Sequence, residues 1–214
     1  EFIHLVVEAT KLAFADREAF YGDTNFNNVP MDILLSDEYN TKRRNLISKE
    51  ASMEVRPGVV PGFGGKVLVR PKGGTSESFS KFDIGEPTVA RFDEPNPSSL
   101  GDTKGDTTHF DIIDKWGNMI AGTPSGGWLQ SSPVIPNLGF CLSNRGQMFW
   151  LDENSPACIG PKRRPRTTLS PSLALKDGLP YMVFGTPGGD QQDHWSLHLL
   201  LRHVHFELNL QEAI

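Results

Sequence analysis

The chain has 214 residues, 37% of them apolar and 22% charged, which suits a globular protein with a sizeable core. Its net charge of -5 gives no general attraction to nucleic acid or anionic membrane, and no apolar run approaches the roughly 18 residues that span a bilayer. Neither partner is expected.

The first residues, Glu1-Phe2-Ile3-His4-Leu5, open without Met in an amphipathic pattern already under way, as expected for a fragment of a longer protein. The lack of a leader therefore says nothing of compartment. Phe2, Leu5, Val6, Ala9, Leu12 and Ala13 recur at helical spacing, which predicts a helix over residues 1 to about 20, stopped near Gly22. Residues 31 to about 49 read as one or two short helices with solvated charges. From Arg56 to Asp106 the composition shifts to Gly, Pro, Ser and charge, with Val67-Leu68-Val69 the one hint of strand, and predicts an exposed linker.

Thr108, Phe110 and Ile112 alternate with polar residues, the period of a half-buried strand, and Met119 to Thr123 reads as its return. A hairpin folded about Trp116 sets position 107 opposite 125. Opposite residues in such a pair have Cα atoms about 4.5–5.5 Å apart, so Thr107, Thr123 and Ser125 are expected as a cluster of hydroxyls at the hairpin's open end. A loop follows, then a short strand around residues 139–142 and a polar loop from about Asn154 to Pro165.

Lys162-Arg163-Arg164-Pro165-Arg166 is a basic cluster in an acidic chain, and a solvated loop is the expectation rather than a nucleic-acid patch. Ser172 to Lys176, Asp177-Gly178 and Tyr181 to Phe184 read as strand, turn and strand. Gly185-Thr186-Pro187-Gly188-Gly189-Asp190 then enters a helix from about Gln191 to Phe206, with Trp195, Leu199 and Leu200 on its apolar side. A glycine-rich turn at a helix start is either a tight turn capped by Asp190 or a site where backbone N–H groups hold negative charge. His194 and His198 stand four apart, as zinc pairs do, but lack a third ligand; no metal and no cofactor is expected. Cys141 and Cys158 are too few for a disulfide framework, lack metal spacing, and read as half-buried thiols. A last helix is expected to begin near Leu208.

The run Asp106-Thr107-Thr108-His109-Phe110, with Gly117-Asn118 beyond it, resembles the start of the small subunit of γ-glutamyltranspeptidases and their relatives. Ala13-Phe14-Ala15-Asp16-Arg17 and Tyr21-Gly22-Asp23 resemble the end of the large subunit. The resemblance implies an α+β fold, the four-layer αββα sandwich of N-terminal-nucleophile hydrolases, here as a fragment. It divides the chain into 1–106, the C-terminal part of the large-subunit region with the linker 56–106, and 107–214, the small-subunit region. It also implies that the two regions associate, that self-cleavage between Asp106 and Thr107 makes Thr107 the nucleophile, that Thr123 and Ser125 orient it, and that Gly188 and Gly189 form the oxyanion hole.

Thr167 and Thr168 match the two hydroxyls that hold a substrate carboxylate in the family. The expected substrate is a γ-glutamyl or related acyl amide, split or transferred through a threonyl acyl-enzyme. Two departures bear on the acyl group: Gly127 stands where the family has Asn, and Gln147-Met148 continues into Phe149-Trp150 where the family has an Asp for the glutamyl amino group. Phe149 and Trp150 suit cation–π contact with that amine or, equally, a less polar acyl chain. Asp152 is a possible substitute for the missing Asp. A glutaryl-type acylase of the cephalosporin kind is the alternative within enzymes, and a non-catalytic binding relative the alternative outside them.

Overall fold

The computed structural model describes residues 1–64, 107–126 and 133–214. The expected strand at Val67 to Val69, most of the linker, Asp106 and Gly127 lie outside the described residues. The chain divides into two compact units, Glu1–Ser78 with Phe149–Arg166 and Phe79–Met148 with Thr167–Ile214. These units follow packing, whereas the division expected at Asp106 follows from the family resemblance.

In the first unit, helix α1 (Phe2–Phe20) buries Val6 and Leu12 of the expected face together with Ala15, Ala19 and Phe20, whereas Leu5, Ala9 and Ala13 are exposed and Glu8, Thr10 and Asp16 are buried in their stead. It ends at Tyr21, whose backbone turns extended, and Gly22 then packs so close to the Pro156 carbonyl that a Cβ would collide with it. Two short helices follow, α2 (Met31–Leu34) and α3 (Asp37–Arg44). The Ser36 hydroxyl caps α3 by accepting from the Tyr39 N–H at 3.2 Å, with Asp37 and Glu38 in the first turn and Lys42, Arg43 and Arg44 in the last, the order the helix dipole favours. Ala19, Phe20, Leu34, Tyr39 and Val60 form one apolar cluster.

The expectation of solvated charges on α3 fails at Arg43. It is buried, pairs with Asp16 of α1 at 3.1 Å, and donates to the carbonyls of Leu12 at 3.0 Å and Arg56 at 2.6 Å. Tyr39 and the Gly58 N–H also donate to Asp16, at 2.9 and 2.7 Å. A charge can be buried here because α1 supplies its counter-ion.

The second unit holds two antiparallel hairpins, two α-helices and a 3₁₀ helix (Arg145–Met148) among the described residues. Strands β1 (Phe110–Ile113) and β2 (Met119–Gly122) pair Phe110 with Gly122 and Ile113 with Met119. Their turn is built on Asp114, whose carboxylate accepts from the N–H groups of Trp116 and Asn118, both at 2.9 Å, and from the Asn118 amide at 2.7 Å. The Asn118 side chain and these backbone donors hold the Asp114 carboxyl below its ordinary range. Every residue of β1 is exposed, contrary to the half-buried reading: alternation identified the strand, but only packed neighbours bury a face.

Strands β3 (Ser172–Lys176) and β4 (Leu179–Phe184) meet through Asp177-Gly178, both at positive φ as a two-residue hairpin turn requires, with an irregularity at Ala174/Leu175. Helix α4 (Gln191–Phe206) follows the glycine turn, and α5 (Leu210–Ala213) is closed by a capping box between Asn209 and Glu212. The residues buried along α4 are Gln192 and Ser196, while Trp195 is 46% exposed, so the apolar side expected from the pattern is not the buried one. Around residues 139–142 there is a single bridge, Val134 to Cys141, rather than a strand. The two cysteines are free, Cys141 partly covered and Cys158 buried.

Candidate active site

The register of β1 and β2 extends past the strand ends, since the Thr108 N–H donates to the Pro124 carbonyl at 3.2 Å. Position 107 therefore faces 125 and position 109 faces 123. Thr107 Oγ1 lies 2.5 Å from Ser125 Oγ, a direct hydroxyl–hydroxyl bond at the open end of the hairpin. Thr123 is buried, and its hydroxyl lies 2.8 Å from His109 Nδ1. His109 Nε2 in turn lies 2.8 Å from Asp111 Oδ1. One face of the hairpin thus carries a hydroxyl pair followed by a hydroxyl–imidazole–carboxylate chain.

The glycine-rich turn approaches this face at His109. A Cβ on Gly185 would run into the imidazole ring, so glycine is what permits the contact. Further along, Gly188 and Gly189 are both buried and at positive φ, 141° and 56°. Their carbonyls accept from the N–H groups of Gln191 and Gln192 at 3.1 and 3.2 Å, which leads the turn into α4. Asp190 makes no side-chain capping bond, although the sequence offers it as the cap. A Cβ on Gly188 would also meet the Trp195 ring.

Thr167 and Thr168 sit on a segment fastened to the start of α4. The Thr167 hydroxyl accepts from the Leu169 N–H at 3.1 Å, and Thr168 is buried. Two residues on, the Ser170 N–H donates to Gln192 Oε1 at 3.2 Å, and its hydroxyl donates to the Asp193 carboxylate. Phe149 and Trp150 belong to the first unit, where the Trp150 N–H donates to the Ala157 carbonyl at 3.0 Å and Trp150 bridges to Cys158. Asp106 lies outside the described residues.

Sequence reasoning missed His109, Asp111, Gln192 and Asp193. For the first two a signal existed: the turn arithmetic that sets 107 against 125 also sets 109 against 123, with Asp111 next on the same face. Gln192 and Asp193 bind a segment more than twenty residues away, which no local pattern records. Two surface clefts, of about 630 and 390 Å³, are lined by first-unit residues and include none of the candidate residues. Among the described residues, no three His, Cys, Asp or Glu side chains group as a metal site, and no helix is long and apolar enough to cross a membrane.

The class is that of the transpeptidases and acylases, on the family model and a solved acylase. Within that class, the Gamma-glutamyltranspeptidase family model matches residues 1–214, and the chain belongs to that family. It is 27% identical to the glutathione hydrolase proenzyme of Bacillus subtilis (strain 168), across 100% of this chain and 33% of that one. It is 49% identical to the solved LmbA2991HD over all of this chain and 34% of that one, at a TM-score of 0.73. It is also similar to a cephalosporin acylase from Bacillus halodurans, 26% identical over 97% of this chain and 30% of that one, at a TM-score of 0.66. The chain spans about a third of the length of these relatives.

Proposed function

We propose that the full-length protein is a γ-glutamyltransferase-like amide hydrolase and acyl transferase, cut between Asp106 and Thr107 and acting through a threonyl acyl-enzyme. The observation that carries this reading is the hydroxyl of Thr107 bonded to Ser125 at 2.5 Å, at the first residue of the small-subunit motif in a chain of this family. In the proposed processing, Thr107 Oγ attacks the Asp106 carbonyl and the peptide nitrogen leaves as the Thr107 amine. Water then hydrolyses the resulting ester, giving an Asp106 carboxylate and a free Oγ. The new amine, with an ordinary pKa of about 8, takes the Oγ proton when Oγ attacks an amide substrate. The substrate's amine leaves with a proton, and the acyl group passes to water or to an acceptor amine.

In this reading Thr123 and Ser125 orient the nucleophile, and the Gly188 and Gly189 amides carry the oxyanion. Thr167 and Thr168 receive the substrate carboxylate, and Phe149 and Trp150 border the acyl chain. Residues 1–106 and 107–214 become two associated subunit regions of one four-layer αββα sandwich. No cofactor is required. The substrate is a small γ-glutamyl or related acyl amide.

A second reading, a glutaryl-type acylase, has its own support in Phe149-Trp150 standing where the family's amino-binding Asp is expected, and in the likeness to the cephalosporin acylase. Intact-mass analysis of the full-length protein is the test of processing: a break before Thr107 is expected, and Thr107→Ala abolishes both the break and turnover. Turnover by an uncleaved chain, or by Thr107→Ala, overturns the mechanism. Rates on γ-glutamyl and glutaryl anilides, which differ only in the α-amino group, separate the two substrate readings. A processed protein that turns over neither would leave only a binding relative.

A further inference from the structure

We infer that His109 and Asp111 are positioning residues that set the direction of the Thr123 hydrogen bond, and so make the Thr123 oxygen a fixed acceptor for the amine created at Thr107. The inference rests on the nucleophile reading above and extends it to two residues which that reading does not use. Three observations converge on the imidazole. Its Nδ1 is 2.8 Å from the Thr123 hydroxyl, its Nε2 is 2.8 Å from Asp111 Oδ1, and its ring lies against Gly185, where the glycine-rich turn begins. The His109 side chain is 9% exposed and that of Asp111 29%, so the ring is enclosed while the carboxylate keeps partial contact with water.

The direction follows from donor and acceptor inventory. An ionised carboxylate only accepts, so the proton of a neutral His109 resides on Nε2 and Nδ1 is left as an acceptor. Thr123 must then donate its one O–H to Nδ1. Its oxygen lone pairs remain, and they point away from the ring. An amine that must offer its lone pair to Oγ needs acceptors for its own N–H groups, or it rotates. A hydroxyl locked as an acceptor meets that need, and a freely rotating one does so only part of the time. If the other tautomer formed, Nδ1–H would donate to Thr123 and the hydroxyl would turn its hydrogen outward, where it competes for the amine's lone pair. Asp111 therefore acts two bonds away from the hydroxyl, through the tautomer.

The test uses the full-length protein and an anilide that the wild type turns over. Asp111→Asn, on an exposed strand, should fold with an unchanged melting temperature, process normally, and lose roughly tenfold or more in kcat with KM within about twofold, the size typical of losing a residue that orients a functional histidine. ¹⁵N spectra, with the ring assigned by comparison with His109→Gln, should show the Nε2–H form in the wild type and a shift toward Nδ1–H in Asp111→Asn. Thr123→Val, which keeps the shape and removes the hydroxyl, should lower kcat at least as much, and adding Asp111→Asn to it should cost nothing further. Wild-type kcat in Asp111→Asn, a wild-type ring protonated on both nitrogens, or additive losses in the double variant each overturn the inference. Thr107→Ala separates the two levels: if it stays active, the nucleophile reading itself fails, whereas an inactive Thr107→Ala beside a fully active Asp111→Asn removes only the relay.

Discussion

The two units bury different kinds of polar group. In the first, the buried set includes Glu8, Asp16, Asp23 and Arg43, and each charge is answered at close range. Glu8 meets Lys11 at 2.6 Å and Arg56 at 3.0 Å; Asp16 meets Arg43; Asp23 accepts from the Arg164 guanidinium at 2.7 Å and from the Arg164 backbone N–H at 2.7 Å. In the second, the buried polar residues among those described are Thr123, Thr168, Gln192 and Ser196, none of them charged. Among the described residues, single buried atoms without a partner occur in both units, Arg43 Nε and Arg56 Nε in the first and the Gln192 amide nitrogen and Ser196 hydroxyl in the second.

The difference teaches how to separate scaffold from chemistry here. A buried ion is tolerated only when its counter-ion is fixed, so pairs such as Arg43–Asp16 and Arg164–Asp23 mark joints between segments distant in sequence. Neutral hydroxyls, an imidazole and an amide cost less to bury and can exchange hydrogen-bond partners. Those groups gather on the hairpin face and at the start of α4, where the family motifs also fall.

The contrast breaks if a second-unit change behaves as a scaffold change. The largest effect is expected at Gly188→Ala, since φ of 141° and the Trp195 ring both oppose a side chain. Displacing the amide proposed to carry the oxyanion should lower kcat about 10²–10³-fold, read by steady-state kinetics on the full-length protein. Arg43→Met should do the reverse in kind. Leaving Asp16 without its guanidinium should destabilise the fold by about 3 kcal/mol in denaturant melts, with kcat of the folded fraction held.

A smaller, pH-dependent effect is expected at Asp23. The Arg164 side chain first, then the backbone N–H groups of Arg164 and Asn25, holds its carboxyl well below the ordinary carboxylate range. A depressed carboxyl stabilises the fold fully above its unfolded pKa of about 3.9, and that contribution is lost as pH falls below it toward the folded value. Melting temperature should therefore fall more steeply in acid for the wild type than for Asp23→Asn; parallel curves would show that the pair adds nothing. The smallest effect belongs to Glu38→Gln. Its partner Lys42 is 2.6 Å away, but both side chains are largely exposed, and no measurable change in melting temperature is expected.

The placement of Thr107 beside Ser125 was legible in the sequence. The hairpin about Trp116 set Thr107 against Ser125 because strand side chains repeat every two residues, so a turn centre alone dictates which residues share a face. Asp177-Gly178 read correctly as a turn because both positions need positive φ, which those residue types tolerate. One expectation went astray on α4, which buries Gln192 and Ser196 rather than its leucines, and the bond from Thr123 to His109 is one the pattern did not show.

What the amino-acid order determined by itself was local: where strands and helices run, which residues oppose one another across a short turn, and where glycine lets the backbone bend. What only the tertiary structure decided was coverage and partnership, such as the Gly185 backbone against the His109 ring, Gln192 reaching Ser170, and Arg43 inside rather than in water. Periodicity and turn chemistry act over a few residues, whereas burial and charge pairing depend on which distant segments arrive side by side.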